Sequence, residues 1–169
     1  VSEPNLASAA SATAVHDRQL APGPELDELE HRAWRAFLRA HAQLTRRLEA
    51  DLISSSRLPL AEFDVLFQLA LADHHRLRMS ELADRVLLSR AGITRLIDRL
   101  VGDGFVARIK CDSDARGAYA VLTERGRDWF SEVRPAHLGA VRHYFIESFS
   151  REELETLARL LERGAAAEG

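Results

Sequence analysis

The sequence is poor in cysteine, lysine and long apolar runs, and each shortage excludes something. A single cysteine, Cys111, rules out an internal disulfide framework and a cysteine-rich zinc site. No stretch approaches the roughly 20 apolar residues that a helix needs to cross a bilayer. The first 25 residues lack a cationic start followed by an apolar core, so they do not read as a secretory signal. Together these features give a cytoplasmic expectation. Glycine-rich phosphate loops, Gly-x-Ser-x-Gly and metal-hydrolase motifs are missing, so the reading is not an enzyme. His74 and His75 are adjacent, and His137 and His143 lie six apart. Neither spacing suits one helix face, and no metal or other cofactor is expected.

What the chain does have is an ordinary globular composition over 169 residues, 46% hydrophobic and 29% charged. Its bases are almost all arginine, the side chain suited to forked contacts with phosphate or base edges. Net charge is −3, but residues 76–127 hold 11 basic and seven acidic side chains. That basic middle within an acidic frame suggests a local polyanion-binding face.

Hydrophobic periodicity organises the rest. Residues 1–25 form a tail ending in Pro22-Gly23-Pro24, and residues 164–169 form another. Leu26, Leu29, Ala33, Phe37, His41, Leu44, Leu48 and Leu52 recur at helical steps. They predict a helix to about Ile53, roughly 40 Å long, within an N-terminal segment of residues 26–58. A helix of this length suits burial against a second subunit. A second helix is expected from Leu60 to Ala72, followed by a turn at Asp73-His74-His75. Ser80 and Ser89 each have the character of an N-cap, starting two short helices in tandem. The second places Ile93, Leu96, Ile97 and Leu100 inward and arginines outward, which is a helix-turn-helix layout. Alternation from Phe105 to Lys110 and from Tyr119 to Leu122, around a polar run at 111–117, predicts a two-stranded hairpin. Thr123 caps a long helix with a bend expected near Pro135. Ser150 and Glu153 have capping-box spacing for a last helix, with Leu154, Leu157, Ala158 and Leu161 inward.

The fold class is therefore mainly α, a winged helix-turn-helix over residues 59–122. Long helices at 26–58 and 123–163 flank it and pair two protomers. The stretch from Ser89 to Arg108, the Asp112-Ser-Asp-Ala-Arg116 run and Leu122-Thr-Glu-Arg-Gly126 together resemble the MarR family of bacterial transcriptional regulators. Ala115 departs from that pattern, in which a second arginine is common.

Physical reasoning places Arg90, Thr94 and Arg95 at the end of the helix that meets base edges in a major groove. Ser89 adds a cap and a phosphate contact, and Arg99, one turn further along, is a further expected DNA contact. Arg116 at the hairpin tip suits a narrow minor groove, with Asp114 either orienting it or tying the hairpin to the recognition helix. The expected partner is double-stranded DNA bearing a pseudo-palindromic site, bound by a homodimer. The resemblance further implies a small aromatic or phenolic effector that releases a repressor from DNA. Trp34, Phe37, His41, Phe63 and Phe67 are the candidates to line its crevice. Two alternatives stay open on sequence alone. One is a winged-helix protein-interaction module without DNA binding; the other is a redox-responsive regulator using Cys111, beside Lys110.

Overall fold

The computed structural model describes residues 25–86, 89–111 and 114–165. The side chains of Arg90, Cys111, Asp114, Ala115 and Arg116 lie outside the described residues. The elements are α1 (Glu28–Ser56), α2 (Leu60–Leu71), β1 (Arg76–Arg78), α3 (Met79–Arg85), α4 (Arg90–Gly102), β2 (Val106–Cys111), β3 (Asp114–Leu122), α5 (Glu124–Tyr144) and α6 (Arg151–Ala165), with 3-10 turns at Asp73–His75 and Ile146–Ser148. No described helix is long and apolar enough to cross a membrane.

Two units make up the chain, residues 1–37 and 38–169. In the first, the described residues open α1 with a reciprocal cap. The Glu30 amide donates to Asp27 Oδ1 at 2.8 Å, and the Asp27 amide donates to Glu30 Oε2 at 2.7 Å. The aspartate supplies what serine usually supplies in a capping box. At its other end α1 runs past the expected stop at Ile53. Ser54 and Ser55 hydroxyls donate back to the Asp51 carbonyl, and Ser56 donates to that of Leu52. These bonds keep the serines helical until Arg57, whose positive φ of 59° ends the run.

The core of the second unit gathers Leu52 of α1, Phe63, Val65, Leu66 and Leu69 of α2, Leu82 and Ala83 of α3, and Ile93, Leu96, Ile97 and Leu100 of α4. These pack with Val106, Ala120 and Leu122 of the sheet and Phe130 of α5. Apolar burial of this kind is the main stabilising term.

Several expectations need correction. The sheet has three strands in the order β1-β3-β2, all antiparallel, where two were expected. The third strand is Arg76–Arg78, with only Leu77 buried, and three residues are too few to display a period. Because this strand feeds straight into α3, Arg78 occupies the N-cap position and Ser80 lies inside the helix. The turn at 73–75 is a 3-10 turn with His74 and His75 at positive φ. Pro135 sits within α5 without ending it. The capping box at α6 is formed: the Ser150 amide donates to Glu153 Oε2 at 2.8 Å, and the Glu153 amide donates to Ser150 Oγ at 3.3 Å. Yet α6 buries no residue within the chain. Leu154 and Leu157 are half-covered, and Leu160 and Leu161 are exposed. The face expected to point inward is therefore not buried among the described residues.

Candidate nucleic-acid interface

The amphipathic pattern of α4 decides which of its side chains reach solvent. Ile93, Leu96, Ile97 and Leu100 are buried, so Thr94 and Arg95 emerge on the opposite face. Ser89 caps the helix as expected, its Oγ accepting the Gly92 amide hydrogen at 3.1 Å. The capped N-terminus carries partial positive charge and points amide groups outward. Ser89, Thr94 and Arg95 are thus brought together on the exposed start of α4. Arg90 follows the cap in sequence, but its side chain lies outside the described residues, as do those of Asp114 and Arg116.

Arg99 has another partner. Its Nε donates to Glu62 Oε1 of α2 at 2.6 Å. Glu62 is the one charged side chain buried among the described residues, and the pair spans 37 positions of sequence. Sequence reasoning missed Glu62. The signal was there, since Glu62, Val65, Leu66 and Leu69 share the inward stripe of α2 and only the first is polar.

Arg108 of β2 was missed as well. Strand alternation sets Val106, Arg108 and Lys110 on one side of the hairpin, and Val106 is buried. From that side the Arg108 guanidinium reaches α4, pairing with Asp98 at 2.9 Å and donating to the Thr94 carbonyl at 3.1 Å. This contact ties the hairpin to the helix. Lys110 is exposed on the same side.

At the other end of the hairpin, Thr123 fastens the start of α5. Its hydroxyl donates to the Gly104 carbonyl at 2.8 Å and accepts the Gly126 amide hydrogen at 3.0 Å. Gly126 packs so closely that a Cβ there would lie 2.2 Å from the Phe105 carbonyl oxygen. That gives a steric reason for the glycine in Leu122-Thr-Glu-Arg-Gly126.

The aromatic residues proposed for an effector fall into two sets. Trp34 and Phe37, both exposed, stack with ring centroids 6.1 Å apart in the first unit. In the second unit Phe63 and Phe67 lie 6.4 Å apart and pack on Phe130. Phe63 is core, 2% exposed, while Phe67 is half-buried. The His137 ring packs against Phe63, tilted at 41° with centroids 4.2 Å apart, and its Nδ1 is buried without a hydrogen-bond partner among the described residues. Burial pushes its pKa below the usual 6.5. His41 is exposed on α1. A separate open groove of about 500 Å³ is lined by Phe105, Glu124, Arg125, Asp128, Trp129 and Glu132. Its carboxylates make it unsuited to a polyanion.

Residues 58–117, which hold α2 through most of the hairpin, match the model of the MarR family. Among solved structures, AbsC, a MarR family transcriptional regulator from Streptomyces coelicolor, is 34% identical, with a TM-score of 0.80 over 85% of this chain and 97% of that one. Sco3205, a MarR family regulator of the same organism crystallised in complex with DNA, is 29% identical, with a TM-score of 0.81 over 85% of this chain and 90% of that one. The HTH-type transcriptional repressor YetL of Bacillus subtilis is 34% identical over 100 residues, 59% of each chain. The match to a second Bacillus subtilis regulator, YkoM, spans 55% of its length, so the chain covers little more than half of these first curated relatives.

Proposed function

The chain belongs to the MarR family, and from that premise we propose that it is a homodimeric, sequence-specific DNA-binding transcriptional regulator. The observation that carries this reading is the exposed start of α4. A Ser89-capped helix terminus presents Thr94 and Arg95, while the hairpin beside it is held to the same helix by Arg108. A helix so mounted fits a major groove, and a hairpin fixed to its flank suits the adjacent minor groove. The DNA-bound state of Sco3205 supports the same assignment. In this reading Ser89, Arg90, Thr94 and Arg95 meet bases and phosphates, and Arg116, oriented by Asp114, reaches the minor groove.

Dimerisation is supported by the uncovered apolar face of α6 and by the exposed Leu26, Leu29, Trp34, Phe37 and Leu38 on and before α1. Contiguous exposed apolar side chains at helical spacing mark a surface for another protein. Twofold pairing would set two α4 helices on half-sites about one helical turn apart.

Repression relieved by a small aromatic or phenolic ligand completes the proposal, with His41, Phe63 and Phe67 of the second unit as candidate lining residues and Trp34 and Phe37 of the first unit as a separate candidate surface. In the second unit the half-buried Phe67 offers ring surface to a planar ligand, and in the first the stacked pair Trp34 and Phe37 does so separately. Titration of the protein–DNA complex with salicylate as the probe tests this part, the expected result being release of DNA.

The DNA assignment is tested by binding a duplex inverted repeat with wild type, Arg95→Ala and Arg116→Ala. Each substitution should weaken binding at least tenfold and leave the dimer intact. Unchanged affinity in both would refute the assigned contacts.

A further inference from the structure

Arg99 presents the same chemistry as Arg95 and lies one turn further along α4, so an arginine-counting argument makes it a DNA contact. The geometry points elsewhere. We propose that Arg99 is a positioning residue, and that Glu62 of α2 acts through it to fix the seat of α4 against the lobe. The inference rests on the DNA-binding reading above and deepens it.

Three observations carry it. First, the bond is short and charge-assisted, Arg99 Nε to Glu62 Oε1 at 2.6 Å. Second, the two ends differ in exposure. The Glu62 side chain is 5% exposed and that of Arg99 is 58% exposed. The carboxylate is held by the core stripe of α2, between the buried Phe63, Val65 and Leu66, so it is a fixed point to which a surface side chain is tied. A buried carboxylate in this position needs its partner, since an unpaired charge there is costly. Third, the tie works with a second one. Arg108 holds α4 at Asp98 and Thr94 from the hairpin side, and Glu62 holds it at Arg99 from the α2 side. The buried Ile93, Leu96, Ile97 and Leu100 seat the helix, and the two polar ties to different elements set its rotation on that seat. Arg95 projects outward from the helix, so a rotation of α4 about its axis carries the guanidinium away from a base edge. Base readout depends on that angle, while attraction to phosphates hardly does.

The two possible roles of Arg99 leave different signatures in DNA binding. A phosphate contact contributes to every duplex alike and to the salt dependence. A positioning residue contributes to the specific site only and leaves the salt dependence as it was.

The experiment compares the full chain with Glu62→Gln, Arg99→Ala, the Glu62→Gln/Arg99→Ala double variant, and Glu62→Met/Arg99→Met. Each is measured on an inverted-repeat duplex selected by the wild type and on a random duplex, over a range of salt concentrations, with thermal unfolding alongside. The Met/Met pair removes both charges at similar volume, so a folded protein remains even if the single variants unfold.

The expected result is about tenfold weaker binding to the selected duplex in every variant, with random-duplex affinity within about twofold of wild type. The double variant should lose no more than the larger single loss, because both substitutions break one link. The salt slope should stay at its wild-type value. The proposal is overturned if Arg99→Ala weakens both duplexes alike and flattens the salt slope by about one per protomer. It is also overturned if the Met/Met variant binds the selected duplex as wild type does. Failure of the wild type to bind any duplex would instead sink the DNA-binding reading itself.

Discussion

Arg108 on β2 and Asp98 on α4 form an ion pair of 2.9 Å, and the same guanidinium donates to the carbonyl of Thr94 at 3.1 Å. The hairpin is thereby clamped to the middle of the helix it accompanies. Both side chains are partly solvated, so the pair contributes about 0–1 kcal/mol to folding. Arg108→Ala should lower the melting temperature by only a few degrees. Its effect on DNA affinity should be larger, about tenfold, because hairpin and helix would no longer be held at one angle. Calorimetry and fluorescence anisotropy on the same preparation separate the two effects.

The Ser89 cap has a stability consequence. Replacing it with alanine leaves the Gly92 amide without its acceptor and should destabilise the fold by about 1 kcal/mol, while glycine should cost only a few tenths. Denaturant titration of the three proteins checks the ranking. A Ser89→Ala variant as stable as wild type would mean that α4 starts elsewhere.

Gly126 is fixed by close approach. With a Cβ 2.2 Å from the Phe105 carbonyl oxygen and 2.8 Å from Leu122 Cδ1, Gly126→Ala must displace backbone. Overpacking of this kind costs about 1–3 kcal/mol. The variant should unfold at markedly lower denaturant, whereas Gly139→Ala, on an open face of α5, should be neutral or stabilising.

His137 makes stability depend on pH. Burial holds its folded pKa below 6.5, so the unfolded chain binds the proton first. Above about pH 6.5 the imidazole is neutral in both states and carries no difference. As pH falls from there toward and through the folded value, the unfolded state is favoured and stability drops. His137→Leu should remove this component. Melting curves between pH 5 and 8 should therefore fall less steeply in the variant than in wild type. Parallel curves would contradict the assignment.

The outer face of α6 offers a test of assembly. Leu157 and Leu161 lie four apart on one side of the helix, and neither is buried within a protomer. Leu157→Asp and Leu161→Asp should each weaken self-association at least tenfold in sedimentation equilibrium and leave the monomer folded. Dimers of undiminished affinity in both would place the interface on other elements.

Much of this molecule could be read from local chemistry. Ser89, the four apolar residues of α4 and the Ser150/Glu153 box are signals confined to one turn or one helix, and each appears in the structure as expected. The departures have a common cause. Glu62–Arg99 joins residues 37 positions apart and Arg108–Asp98 joins a strand to the helix before it, and no periodicity within one element announces a partner on another. The strand at Arg76–Arg78 exists because β3 offers it an edge, pairing Leu77 with Ala120. Its own three residues carry too little pattern. The serines at 54–56 read as a breaker, yet their hydroxyls bond backward along the helix. The stripe of α6 was legible, but its destination was not, since no α6 residue is buried among the described residues.

The claim on which the rest depends is that two copies of α4 read adjacent turns of duplex DNA. Selection of bound sequences from a random duplex pool by the full chain tests it most directly. The account predicts enrichment of an inverted repeat whose half-site centres lie about 10 base pairs apart. Recovery of no sequence preference, or of a single unrepeated motif bound by a monomer, would contradict it.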